Sequence, residues 1–417
     1  MTGRRREGRA GHAGEFPIAR EPRLLRHGQL RVLHEHVPGP LTALAVAIRA
    51  GSRADGRHPG IAHMAEHMLF QGTHHREQHE INRLAGELGG EHDADTGYED
   101  MTLHFEVFNE DVGEALALLG EQMFHSAVPV DRFAKERRVV IDEIRGRHED
   151  PANLVYERAW GRFFGGPLGH PICGTIQSLR AMSVEAVQRF IARHFVPGNM
   201  VLAAVGGLDA ARLRRAVERA LPARGSRPPV PALLPRRPGT GLVRLRRSDL
   251  TQAYYVRVVR APTSQRKLLA FTAAVEIVGS DPDARLFQEV RERLGLGYDV
   301  GASVEHGSDW AVALLSASAA RQDAGRLADT VDRTCRDAAT GFAVEELERV
   351  RKKMRFRFAR FAQSNLERAL AHASRATCGL PSLAVTERLL PAIQLREVEA
   401  AWRDALAAPT LTAILTG

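Results

Sequence analysis

Two hydrophobic periods alternate along this chain, and the switches between them mark its elements. Leu30–Val37 and Leu41–Ala50 are apolar, β-rich runs of strand length, and Met101–Phe108 and Met200–Val205 are two more. Between these runs, apolar residues recur with the helical period. They predict helices from about Gly60, from about His79 to Leu88, from Val112 to about Phe124, from Arg132 to about Arg147 with Asp131 as N-cap, and over Asp209–Ala220. The order then returns, with a strand at Ala253–Val259, helices at Lys267–Val278 and around Leu286–Glu292, a strand at Trp310–Ser318, and long helices after it.

Local sequence repeats as well. Val130-Asp131 opens a helix much as Val344-Glu345 does, and Asn153-Leu154 is matched by Asn365-Leu366. A duplicated α+β unit is the simplest source of both likenesses. Proline, glycine and arginine displace either period over residues 221–241, LPARGSRPPVPALLPRRPGTG, which is the expected linker. Residues 23–220 and 242–417 are then two homologous α+β domains, and residues 1–22 a basic, disordered leader without the apolar core of a secretory signal. The halves differ informatively. Counted from Val130 and Val344, Arg357 stands in the second half where Glu143 stands in the first.

Composition narrows the class. The 417 residues exceed the roughly 100–200 of one domain. No window approaches the run of about 20 apolar residues that a membrane helix needs. Three separated cysteines, Cys173, Cys335 and Cys378, indicate neither a disulfide framework nor a thiolate zinc site, so a reducing cytoplasm fits best, and Glu7, Glu15 and Glu21 count against an Arg-rich organelle transit peptide. The net charge of +8 is spread along the chain with no nucleic-acid module, which argues against a nucleic-acid partner.

The chemistry gathers in GIAHMAEHMLFQGT, residues 60–73. His63 and His67 are four apart, so on a helix their imidazoles share a face, and Glu66 flanks that face. Two neutral imidazoles suit zinc, and a carboxylate beside them suits a general base. A catalytic zinc needs a third protein ligand, which must come from elsewhere in the chain.

The longer stretch AGSRADGRHPGIAHMAEHMLFQGT, together with Glu136-Arg137-Arg138-Val139-Val140-Ile141-Asp142-Glu143, resembles the two signatures of the inverted-motif zinc peptidases, the inverzincins. That family includes pitrilysin, insulin-degrading enzyme and the catalytic subunit of mitochondrial processing peptidase. The resemblance implies a zinc ion held by His63, His67 and Glu143, Glu66 as catalytic base, and Glu136 supporting the ligands. Arg291 and Tyr298, in Arg291-Glu292-Arg293-Leu294-Gly295-Leu296-Gly297-Tyr298, match the family's pair that reaches the substrate carbonyl. Gly90–Thr96 resembles the edge strand that receives substrate, with Asp93, Ala94 and Thr96 at its contact positions. Here Asp93 stands where the family usually has Asn, and Asp95 where it has an aromatic or small residue; the added charge points toward basic peptides.

The resemblance further implies two homologous domains, each an antiparallel-rich sheet packed with helices, and two such chains closing like a clamshell around a chamber. Arg291 and Tyr298 would then serve the neighbour's zinc. The expected activity is zinc-dependent endoproteolysis of unfolded or short peptides, in leader processing or peptide degradation, by a homodimer or by a heterodimer with an inactive homologue. The rival is a non-catalytic subunit of a heteromeric peptidase or structural complex.

Overall fold

The computed structural model describes residues 20–226 and 238–417. The leader as far as residue 19 and the middle of the proline-rich break, residues 227–237, lie outside the described residues. The first half runs β1 (Arg23–His27), β2 (Leu30–His36), β3 (Leu41–Ile48), α1 (Ile61–Leu69), α2 (Gln78–Leu88), β4 (Glu91–Thr96), β5 (Met101–Phe108), α3 (Val112–His125), α4 (Val130–Glu149), α5 (Pro151–Phe164), α6 (Ile176–Ala181), α7 (Val184–His194), β6 (Met200–Gly206) and α8 (Ala210–Ala220). The second runs β7 (Gly241–Arg246), β8 (Gln252–Arg260), α9 (Gln265–Val275), α10 (Arg285–Phe287), β9 (Val300–His306), β10 (Ala311–Ala320), α11 (Ala324–Ala338), α12 (Val344–Phe361), α13 (Asn365–Cys378), α14 (Leu383–Leu389), α15 (Leu395–Ala407) and β11 (Thr410–Thr416).

The strand orders are β1-β2-β6-β3-β5-β4 and β7-β11-β8-β10-β9. Each sheet is antiparallel apart from one parallel pair, β2 with β6 and β7 with β11. Laying β2-β6-β3-β5-β4 on β7-β11-β8-β10-β9 needs no permutation, so the duplication read in the sequence extends to topology.

Strand β3, LTALAVAI, explains how the halves join. Successive side chains of a strand face opposite ways. Leu44, Val46 and Ile48 enter the first-half core with Met64 and Met68 of α1. Ala43, Ala45 and Ala47 form a shallow opposite face on which Ala369 and Ala373 of α13 rest. That helix belongs to the second half. The exchange is mutual, because α5 of the first half lays Val155, Ala159, Trp160 and Phe163 on Val256, Val258, Leu411 and Ala413 of the second sheet. The matched dipeptides Asn153-Leu154 and Asn365-Leu366 lie at the starts of these two exchanged helices.

Buried ions bolt the same joints. Glu35 of β2 accepts hydrogen bonds from Arg368 and, at 2.9 Å, from His372, both on α13. Arg53 binds Glu99 at 2.5 Å and, across the halves, both carboxylate oxygens of Asp309 at 2.8 and 2.9 Å.

Several bounds shift by a few residues from the sequence reading, as where α9 ends at Val275 rather than Val278, and one shift moves a cap. Helix α4 begins at Val130 after Pro129, whose extended backbone sets the start, so Asp131 lies in the first turn rather than at the N-cap. There its charge still favours the helix N-terminus.

Candidate metal centre and active site

Helix α1 starts at Gly60, whose positive φ of 88° suits glycine and turns the chain into the helix. Gly60 lacks a side chain to cap the first turn. Asp55 does so from outside, accepting from Gly60 N at 2.6 Å and Ala62 N at 3.0 Å. The helix is thereby fixed at its N-terminal end, three residues before His63.

On α1 the imidazoles of His63 and His67 lie 4.7 Å apart between ring centroids. Helix α4 carries Glu136 and Glu143, two turns apart, to the same place. Glu143 Oε2 is 3.7 Å from His63 Nε2 and 3.9 Å from His67 Nε2. These separations exceed hydrogen-bond length. They approach the roughly 3.4 Å that separates ligand atoms around a tetrahedral ion with bonds of about 2.0–2.1 Å. One ligand atom from each of the three residues lies within 4.8 Å of the others, the one such group among the described residues. Glu136 Oε2 sits 3.1 Å from His67 Nδ1 on the far side of the ring.

The electrostatics suit a cation. Burial first, and then the neighbouring His67, push the pKa of His63 down to about 4, so its ring is neutral near pH 7 with a lone pair to offer. Burial pushes Glu66 up to about 7 against the opposing hydrogen bond from Thr96, with Asp95 and Asp93 adding to the rise. Glu66 can therefore take and return a proton near neutrality.

Thr96, whose hydroxyl donates to Glu66, ends β4. Strand β4 pairs only with β5 and forms one edge of the first sheet. Its pleat exposes Glu91, Asp93 and Asp95 and turns His92, Ala94 and Thr96 inward. His92 packs between Phe70 and Phe105 and hydrogen-bonds Gln122 at 2.9 Å. Ala94 N donates to Asp93 Oδ1 at 2.8 Å.

Arg291 and Tyr298 are held against each other, and among the described residues no hydrogen bond or ion pair links either to this cluster. The Arg291 guanidinium lies 4.2 Å from the centroid of the Tyr298 ring, and Tyr298 is 76% exposed. In the second half Arg357, at the place of Glu143, binds both oxygens of Glu276 at 2.6 and 2.9 Å. An ion pair links helices there where the first half has its histidine and carboxylate cluster.

Two contacts gave no sequence signal. One is the Asp55 cap; the other is Cys173, whose Sγ lies 3.3 Å from Glu143 Oε1. Burial first, and next the charge of Glu143, push this thiol well up, which keeps it an S–H donor.

Comparisons with known proteins bear on the family and the fold. Residues 31–176 match the family model described as Insulinase (Peptidase family M16), and residues 181–354 match that of the Peptidase M16 inactive domain. An uncharacterized zinc protease of Mycobacterium leprae is 31% identical over 67% of this chain and 64% of its own length, so the match spans just under two thirds of that relative. One from Rickettsia felis is 30% identical over 67% of this chain and 68% of its own. Among solved structures, a protease from Helicobacter pylori aligns with TM-score 0.89 and 17% identity over 95% of this chain and all of that one. A peptidase M16 inactive domain from Pseudomonas fluorescens aligns with TM-score 0.87 and 18% identity over 95% and 98%. These structural likenesses establish the fold.

Proposed function

Because the chain belongs to the insulinase family of peptidases, family M16, we propose that it is a zinc-dependent endopeptidase whose centre is the cluster of His63, His67 and Glu143. The observation that carries this reading is the convergence of two imidazole nitrogens and one carboxylate oxygen beside the proton-accepting Glu66. The donor set fits zinc in type and spacing, and zinc bound there would polarise a peptide carbonyl and acidify a water molecule.

The chain's own groups supply the rest. Glu66 takes a proton from the attacking water and delivers it to the departing amine nitrogen, and the Thr96 hydroxyl holds the carboxylate in place between the two transfers. The free edge of β4 offers main-chain hydrogen bonds to an extended substrate, a mode that selects unfolded or short peptides. Exposed Asp93 and Asp95 favour basic side chains on alternate positions of that substrate. Arg291 and Tyr298, paired with each other in their own chain, are assigned to a carbonyl bound at the cluster of a second chain, homologous or identical.

The test is metal analysis together with cleavage of an unstructured peptide library by wild type and Glu66→Gln. The variant should keep one zinc per chain and lose at least about a hundredfold in kcat, the usual contribution of a general base. Full activity in it would sink the mechanism.

A further inference from the structure

Cys173 has no part in this mechanism. It lies in the turn before α6, is 6% exposed, and its thiol hydrogen points at Glu143 Oε1 over 3.3 Å. We propose that Cys173 is the positioning residue of Glu143: by donating to Oε1 it leaves Oε2 turned toward His63 and His67. The inference rests on the reading of that cluster as the zinc site.

Glu143 needs such a restraint. Its side chain is 36% exposed, and among the described residues no other side chain hydrogen-bonds its carboxylate. Both histidine contacts, at 3.7 and 3.9 Å, are too long to orient it.

Cys173 is a fixed anchor for this purpose. A Cβ added to Gly60 would meet the Cys173 carbonyl oxygen at 2.6 Å, and one added to Gly174 would meet the Pro59 oxygen at 2.3 Å. The Ser178 hydroxyl also donates to the Pro59 oxygen, at 2.7 Å. The backbone that carries the thiol is thus locked to the backbone that opens α1. Through the thiol, a carboxylate on α4 is registered to the frame of the histidine helix.

The experiment compares wild type with Cys173→Ser, Cys173→Ala and Cys173→Val. Zinc affinity is measured by competition with a chromophoric chelator, thermal melts are taken on the metal-free chains, and spectra are recorded with cobalt in place of zinc. Groups that orient metal ligands contribute roughly 10–100-fold to affinity; for a weak S–H donor the Ala and Val variants should bind zinc about tenfold more weakly, with Ser within about threefold of wild type. Metal-free melts should be close for Ser and Val, and the cobalt spectrum should lack a thiolate-to-cobalt band.

Equal affinity in all four chains would overturn the proposal. So would a Ser variant as weak as Val, which would assign the effect to packing, or a thiolate-to-cobalt band, which would make Cys173 a ligand. A wild type that binds no zinc would instead overturn the reading of the site, and the inference with it.

Discussion

His67 turns one ring nitrogen to the cluster and the other to Glu136, and the second contact decides its tautomer. With the Nδ1 proton donated to Glu136 over 3.1 Å, Nε2 keeps its lone pair for the cation. Glu136→Ala should therefore weaken zinc binding roughly 10–100-fold, while Glu136→Gln, which keeps a carbonyl acceptor, should lose less. Competition against a chelator reads both, and unchanged affinity in the alanine variant would remove Glu136 from the site. His63 and His67 were legible in the sequence because helical geometry puts positions four apart on one face, whereas Glu136 and Glu143, seven apart on another helix, were singled out only by the resemblance to the zinc-peptidase signature. Cys173 and Asp55 were not legible. Their partners lie on other segments, so only the packed chain brings a thiol to Glu143 or a carboxylate to the first turn of α1. Thr96 was legible in part: the edge strand was anticipated, whereas the bond from its hydroxyl to Glu66 is a tertiary contact.

Helix α13 is the element whose placement the sequence did not disclose. Its amphipathic pattern could mark a buried face but not which sheet would receive it, and it covers the sheet of the other half through Ala369 and Ala373. Strands buried on both faces, such as β3 and β6, were visible as apolar runs; the partly exposed β7 and β9 lacked that signal. The buried Glu35 ties α13 in place. Burial raises the pKa of its carboxyl, but the hydrogen bond from His372 and the charge of Arg368 outweigh this and hold it below the ordinary value. A depressed carboxylate stabilises the fold fully above its unfolded pKa, about 4.3, and that stability is lost as pH falls through the folded value. Urea midpoints of wild type should thus drop on acidification below about pH 4.3, more steeply than those of Glu35→Gln. At pH 7 Glu35→Ala, which strands Arg368, should cost roughly 3–5 kcal/mol. Parallel acid limbs in wild type and Glu35→Gln would show that this cluster does not drive the pH dependence.

At the scale of the whole molecule, the question is whose cluster Arg291 and Tyr298 serve. Within one chain they stack on each other with Tyr298 exposed; the Arg291 guanidinium also lies 4.9 Å from the Phe287 ring centroid, and the carboxylate it approaches among the described residues is that of its neighbour Glu292, at 3.6 Å. If the working unit is a two-fold dimer with sites completed in trans, two differently disabled chains can repair one another. Glu66→Gln spoils a chain's own site but still lends Arg291 to its partner; Arg291→Ala keeps Glu66 but lends nothing. In a mixed dimer, the Glu66 of one chain meets the Arg291 of the other, giving one intact site of two. Equal mixing with free exchange makes half the dimers mixed, so activity should recover to about a quarter of wild type, from near zero for either variant alone. Sites completed within a single chain would give no recovery, because every cluster would still lack either its base or its arginine. Titrating one variant into the other, while mass photometry follows exchange of the chains, separates failure to complement from failure to mix.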